Sequence, residues 1–258
     1  MVARCLDREG IRSPRSGVRS ILITGGNGGL GLGIARFFLQ REEDCRVWLG
    51  VRANHDAADL LVAEYPDRCR TVTLEVTDAA AWKGAVDGIT AETGRIDVLV
   101  NNAGMHRDHL LAAMPDEAWY GVISSNLDSV FLGCRAVVTP MMRQRSGRII
   151  NIASLSALLP PLGQTNYAAA KAGVVAMTRT LAKETARAGI TVNAVLPGYV
   201  ETEALGGMDG DAKKQARAGI PMRRFGKPEE VAAAVFFLAS AEASYVTGAS
   251  LKIDGGIF

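Results

Sequence analysis

Tyr167 and Lys171 stand four residues apart in the run Asn166-Tyr167-Ala168-Ala169-Ala170-Lys171, downstream of Asn151-Ile152-Ala153-Ser154. On a helix, that spacing puts both side chains on one face, one turn apart. A phenol beside a fixed ammonium ionises more readily, because the positive charge favours the phenolate. Such a phenol can give and take a proton near neutral pH. A Ser154 hydroxyl would hold a substrate oxygen beside it, and Ser156 is a rival for that place. Taken alone, the pair reads as readily as a surface tyrosine and a solvated lysine on an alanine-rich helix. The surrounding elements decide between the two.

Short apolar runs alternate with longer helical patterns. Strands are expected at 20–23, 46–51, 71–76, 96–100, 148–152, 190–195 and 250–253. Helical periodicity marks 30–40, 54–65, 79–93, 116–145, 165–188 and 228–239. Strands separated by helix-length segments imply βαβ units and a parallel sheet. Nearly continuous apolar strands fit a sheet covered on both faces. The segment 201–225 contains Gly206, Gly207, Gly210 and Gly219 after a strand end, which makes it a candidate lid.

The first strand runs into Thr24-Gly25-Gly26-Asn27-Gly28-Gly29-Leu30-Gly31 and then a helix. Glycine there lets the backbone approach a pyrophosphate, and the helix N-terminus offers free N–H groups to it. The context is the required strand, turn and helix. The expected architecture is a single-domain Rossmann fold over residues 19–258. It is a doubly wound, seven-stranded parallel sheet with helices on both faces, preceded by a poorly ordered tail at 1–18.

Composition narrows the partners. The chain has 258 residues, 48% of them hydrophobic and 22% charged, with a net charge of +2. That balance makes no electrostatic case for nucleic acid or an anionic membrane. No apolar run approaches the roughly 20 residues of a membrane span. Cys5, Cys45, Cys69 and Cys134 are scattered and read as reduced thiols of a cytoplasmic protein. His55, His106 and His109 do not form a metal site, because the one i,i+3 pair has only Asp108 near it. The leader to Arg19 carries five arginines but no long apolar core, so it is not a secretory signal.

Thr24-Gly-x-x-x-Gly-x-Gly31, Asn101-Asn-Ala-Gly104, Ser154, Tyr167-x-x-x-Lys171 and Pro197-Gly198 occur in a diagnostic order and spacing. Together they resemble the classical short-chain dehydrogenases/reductases. Three further stretches resemble the bacterial 3-oxoacyl-(acyl-carrier-protein) reductases and acetoacetyl-CoA reductases of that family. They run from Asn101 to Asp108, from Gly163 to Gly173 and from Arg224 to Glu230. The resemblance implies Asn126, Ser154, Tyr167 and Lys171 as catalytic residues. Tyr167 would donate the proton, Ser154 would hold the same oxygen, Lys171 would lower the phenol's pKa and hold the nicotinamide ribose, and Asn126 would support a water relay to Lys171. Asn126 reads equally as a polar residue that kinks a helix locally.

The resemblance also implies cofactor contacts. Gly25, Gly29 and Gly31 would line the pyrophosphate, with Asn27, Gly28 and Leu30 in the same turn. Asp78 would bond the adenine amino group, although it also suits the N-cap before Ala79. Asn101, Ala103 and Gly104 would flank the adenosine. Pro197, Gly198, Val200 and Thr202 would fix the carboxamide. An NAD enzyme places a carboxylate at the end of its second strand. Here Val51 and Arg52 stand there, which suits a 2′-phosphate, so NADPH/NADP+ is the expected cofactor.

The expected reaction is reduction of a 3-ketoacyl thioester, linked to acyl carrier protein or CoA. The alternatives are a non-thioester ketone such as a polyketide, steroid or sugar, and a dinucleotide-binding scaffold without catalysis. The apolar loop 155–164 would take a bulky substrate or simply pack. Arg145 matches one carrier-docking position of the family; at the second this chain has Ala188, with Arg187 one residue earlier. Arg143, Arg145 and Arg148 form a local basic cluster that could meet a phosphate. A homotetramer is expected by the same resemblance, built on the helices over 116–145 and 165–188 and on the last strand, with the small face of Ala168, Ala172 and Ala176 allowing close approach.

Overall fold

The structure, a computed structural model, describes residues 17–206 and 209–258. The tail expected at 1–18 therefore falls almost wholly outside the described residues. The chain runs β1 (Arg19–Thr24), α1 (Gly29–Arg41), β2 (Cys45–Val51), α2 (Asp56–Glu64), β3 (Cys69–Thr73), α3 (Ala79–Thr93) and β4 (Val98–Asn101). Then come α4 (Asp116–Ile123), a π-helical turn (Ser124–Asp128), α5 (Ser129–Gln144), β5 (Gly147–Ile152), α6 (Thr165–Thr185) and β6 (Ile190–Pro197). The chain closes with α7 (Glu203–Gly206), α8 (Gly210–Gly219), α9 (Pro228–Ala239) and β7 (Ser250–Ile253).

All seven strands pair in parallel in the order β3-β2-β1-β4-β5-β6-β7. The order reverses between β1 and β4, and such a reversal opens a crevice at the strands' carboxyl ends. Successive strand residues point to opposite faces. Ile21 and Ile23 accordingly join Phe38, Leu49 and Val235 in one buried layer, whereas Leu22 joins Trp82, Met141 and Val174 in the other. Two covered faces explain why the strands read as continuous apolar runs.

Several expected boundaries shift. The third strand stops at Thr73 rather than Val76. The Glu75 carboxylate accepts hydrogen bonds from the Thr77 N–H (3.1 Å) and hydroxyl (2.8 Å), which turns the backbone out of the ladder. The helix expected over 116–145 is interrupted by the π-helical turn that contains Asn126. The helix read to 188 ends at Thr185 in a single 3-10 turn, followed by Gly189 at φ 74°. The candidate lid at 201–225 contains α7 and α8.

Candidate active site

The carboxyl ends of β1, β4, β5 and β6 supply the site. The turn after β1 needs glycine at position 25, where φ is +65° and a Cβ would stand 2.9 Å from the Asn102 amide and 3.1 Å from the Ala103 backbone. Gly28 begins α1 without any side-chain cap, so the first N–H groups of the helix remain available to a ligand. A cleft of about 310 Å³ opens on them, lined by Gly25 through Gly31 apart from Gly26. A backbone cradle of this kind, at an uncapped helix N-terminus, fits a pyrophosphate.

The cradle continues in two directions. Towards β2 and β3 lies a cleft of about 650 Å³, which shares Gly25, Asn27, Ala103 and Gly104 with the cradle and ends at Arg52, Glu75 and Val76. Towards β5 and α6 lies one of about 300 Å³, lined by Asn126, Ser154, Tyr167 and Lys171 together with Pro197, Gly198, Val200 and Thr202. Gly104 lines all three clefts. The groove as a whole accommodates an extended dinucleotide with one end at the tyrosine.

Ser154 follows β5 in extended conformation and opens a 3-10 turn (Leu155–Ala157), its Oγ accepting from the Ser156 N–H at 3.1 Å. The Ser156 hydroxyl donates away from the cleft, to Gln164 Oε1 at 3.0 Å, which leaves Ser154 as the serine facing Tyr167. Tyr167 lies in the first turn of α6, and Lys171 is one turn on, 3% exposed. Lys171 Nζ donates to the Ile152 carbonyl at 2.8 Å and stands 5.6 Å from the Tyr167 ring centroid.

Burial dominates the electrostatics. It lowers Lys171 to about 8. It also pushes the Tyr167 phenol up; the hydrogen bond with Ser154 pulls the other way, and the charge of Asp108 adds to the rise. The phenol is therefore raised, not lowered as the Tyr–Lys spacing predicts, because desolvation outweighs the hydrogen bond with Ser154. A phenol kept protonated is the form that a proton donor requires.

Asn126 is fully buried in the π-helical turn. Its Nδ2 donates to the Met105 (2.6 Å) and Val122 (2.9 Å) carbonyls. Its Oδ1 is buried, has no hydrogen-bond partner among the described residues and faces Gly104, where any Cβ would collide with it.

Asp78 Oδ1 caps α3 by accepting from the Ala80 N–H at 2.8 Å, which leaves Oδ2 for the expected adenine contact, and Glu75, Val76 and Thr77 line the far wall. The Asn101 side chain is 3% exposed and donates to Asn151 Oδ1 at 2.9 Å inside the core. Its neighbour Asn102 faces the groove, with Nδ2 donating to the Thr24 carbonyl at 2.9 Å. Arg145 precedes β5 and Ser154 follows it, so they lie at opposite ends of a six-residue strand, about 20 Å long at roughly 3.3 Å per residue. Arg145 donates to the Arg187 carbonyl at 3.2 Å, so both sit away from this chain's own cleft. Arg148 leaves the proposed basic cluster, because it is 7% exposed and donates to the Gly147 and Ser240 carbonyls.

Within the apolar loop Leu155 is buried, whereas Leu158, Leu159 and Leu162 are exposed. Sequence reasoning missed Met105, His106, Tyr199 and Leu205 in the catalytic cleft. Cys45, Cys69 and Cys134 are free and buried, and burial pushes their thiols up to about 12, 11 and 12. Among the described residues no helix is long and apolar enough to cross a membrane, and no cluster of three metal-ligating side chains occurs.

Comparison with known proteins agrees with this geometry. Residues 25–257 match the family model described as Enoyl-(Acyl carrier protein) reductase. The chain is 46% identical over 239 residues to the 3-oxoacyl-(acyl-carrier-protein) reductase FabG of Thermotoga maritima, covering 92% of this chain and 96% of that one. It is 40% identical over 240 residues to the protein of the same name from Chlamydia muridarum, covering 93% and 97%. The Vibrio harveyi protein of that name is 39% identical over 237 residues, covering 92% and 96%.

Proposed function

The chain belongs to the short-chain dehydrogenase/reductase family of oxidoreductases, and from that premise we propose that it is an NADPH-dependent 3-ketoacyl-thioester reductase of the cytoplasm. The observation that carries this reading is the convergence of Asn126, Ser154, Tyr167 and Lys171 on one cleft, continuous with a groove that ends at Arg52. The relatives named above are 3-oxoacyl reductases, which supports a 3-ketoacyl substrate on an acyl carrier protein or on CoA.

When bound, the nicotinamide supplies the hydride that reduces the ketone carbon. The protein's part is to bind, orient and move a proton. Ser154 donates a hydrogen bond to the ketone oxygen and stabilises the charge that develops there. Tyr167 passes its phenolic proton to the same oxygen. Lys171, cationic below about 8, stabilises the tyrosinate left behind and holds the ribose. Asn126 holds the π-helical turn open for a proton relay to Lys171. Gly25, Asn27, Gly28, Gly29, Leu30 and Gly31 would seat the pyrophosphate, and Arg52 would hold the 2′-phosphate.

The active form is a homotetramer in this reading. The supporting observation is that Ala172 and Ala176 on α6, Phe131 and Met142 on α5 are exposed in the single chain rather than packed within it. A monomeric mass by light scattering would refute the tetramer. The reaction is tested by following NADPH and NADH oxidation separately with acetoacetyl-CoA. Rapid loss of NADPH alone is expected. Bound NADPH that no 3-ketoacyl thioester consumes would move the assignment to a non-thioester ketone, which the exposed Leu158, Leu159 and Leu162 would meet.

A further inference from the structure

His106 has no part in the mechanism above, yet the residues on both sides of it are tied to the rest of the fold. It lies in the segment 105–109 that leaves β4, and the neighbouring residues are laced to the catalytic elements. Asn126 donates to the Met105 carbonyl (2.6 Å) and Asn166 to the Arg107 carbonyl (3.1 Å). Gln164 donates to the Asp108 carboxylate (3.0 Å), and the His109 N–H donates to the Gly163 carbonyl (2.9 Å). Asn126 and Asn166 are both fully buried, so two of the four ties anchor in the core. Asn166 adjoins Tyr167, and Gly163 and Gln164 close the loop that Ser154 opens. The segment and the catalytic groups are thus one frame.

Within that frame the His106 imidazole makes no hydrogen bond to any described residue. It lines the catalytic cleft, edge-on to Tyr167, with ring centroids 6.3 Å apart and planes at 74°. An imidazole carries at least one N–H in either protonation state. A group oriented by its neighbours, unsatisfied by the protein and beside the proton donor, is placed to contact substrate.

We propose that His106 recognises the second carbonyl of a 3-ketoacyl thioester, its ring N–H donating to the thioester oxygen while Ser154 and Tyr167 take the keto oxygen. This rests on the 3-ketoacyl reading given above. The frame fixes the distance between the two donor sites, so the pair reads the β-relationship of the two carbonyls. His106 is exposed, so with a ketone that lacks the second carbonyl the imidazole keeps its hydrogen bonds to water, and the discrimination is the modest net worth of one hydrogen bond.

The test compares wild type with His106→Leu, which keeps bulk and removes the donor, and His106→Gln, which keeps a donor. Steady-state kinetics use acetoacetyl-CoA and NADPH, and NADPH binding is measured separately by fluorescence. His106→Leu is expected to lose about tenfold in kcat/KM, mostly through KM, the size of one lost hydrogen bond to a neutral group. His106→Gln is expected to recover most of that, and NADPH affinity is expected to be unchanged in all three proteins. A Leu variant as efficient as wild type, or a Gln variant as impaired as the Leu variant, would overturn the proposal. Wild-type protein that reduces a simple ketone but no 3-ketoacyl thioester would overturn the thioester reading, and this inference with it.

Discussion

Arg52 and Glu75 face one another at the rim of the adenosine-side cleft, guanidinium to carboxylate at 3.7 Å. Burial opposes ionisation of Glu75, but the hydrogen bonds from Thr77 and the charge of Arg52 outweigh it and hold the carboxyl below its usual range. The two carboxylate oxygens are divided, Oε1 to Thr77 and Oε2 towards Arg52. A 2′-phosphate arriving at Arg52 would therefore compete with a fixed negative charge.

Cofactor choice follows from that pair. Arg52→Asp should weaken NADPH binding on the order of tenfold or more and favour NADH, since a charge-assisted phosphate contact becomes a repulsion. Glu75→Gln should tighten NADPH by about two- to fivefold and leave NADH nearly unchanged, the scale of an exposed ion pair. Dissociation constants for both cofactors on each variant check this. Unaltered NADPH preference in Arg52→Asp would sink the assignment.

Tyr167→Phe removes the proton donor without changing the shape of the cleft. Turnover should fall by roughly 10²- to 10⁴-fold, the usual contribution of a positioned acid. NADPH binding should persist. Single-turnover rates together with NADPH titrations separate the two effects.

Ser154 and Ser156 are two residues apart but serve different partners. Ser154→Ala should cost on the order of 10²-fold in kcat, as loss of an oxyanion donor does. Ser156→Ala removes only the bond to Gln164 and should keep most of the activity. Equal losses in the two variants would show that the loop conformation, rather than the Ser154 hydroxyl, is what matters.

The rate of reduction should depend on pH through Lys171. Its pKa of about 8 in the folded protein makes it cationic below that value and neutral above it. The cation stabilises the tyrosinate that forms as Tyr167 gives up its proton. Reduction should therefore hold steady on the neutral side and decline as pH rises through about 8. A kcat/KM profile that stays flat well above this value would contradict the role of Lys171.

Local patterns were legible in the sequence wherever the physics is local. The bounds of α3 and α9 match their expected ranges, because Asp78 caps the first and Pro228 begins the second. That Tyr167 and Lys171 share a helix face follows from their spacing. The glycine turn after β1 follows from its strand, turn and helix context. Chain direction along β5 places Arg145 at the end of that strand opposite Ser154.

The sequence by itself determined the Rossmann architecture, through apolar periodicity, and the family motifs, through short spacings; the resemblance those motifs carry is what points to Asn126, Ser154, Tyr167 and Lys171. Tertiary structure decided what those patterns face. Asn101 and Asn102 are adjacent and chemically identical, yet one is buried against Asn151 and the other meets the groove. Glu75 reaches the far wall of the adenosine-side cleft, because β3 ends where the Thr77 hydrogen bonds turn it. Burial reversed the expected direction of the Tyr167 shift. His106 gained its place beside Tyr167 from hydrogen bonds across up to 59 positions of chain. Side-chain facing, desolvation and long-range hydrogen bonds all depend on which segments fold against one another, and no local spacing encodes that.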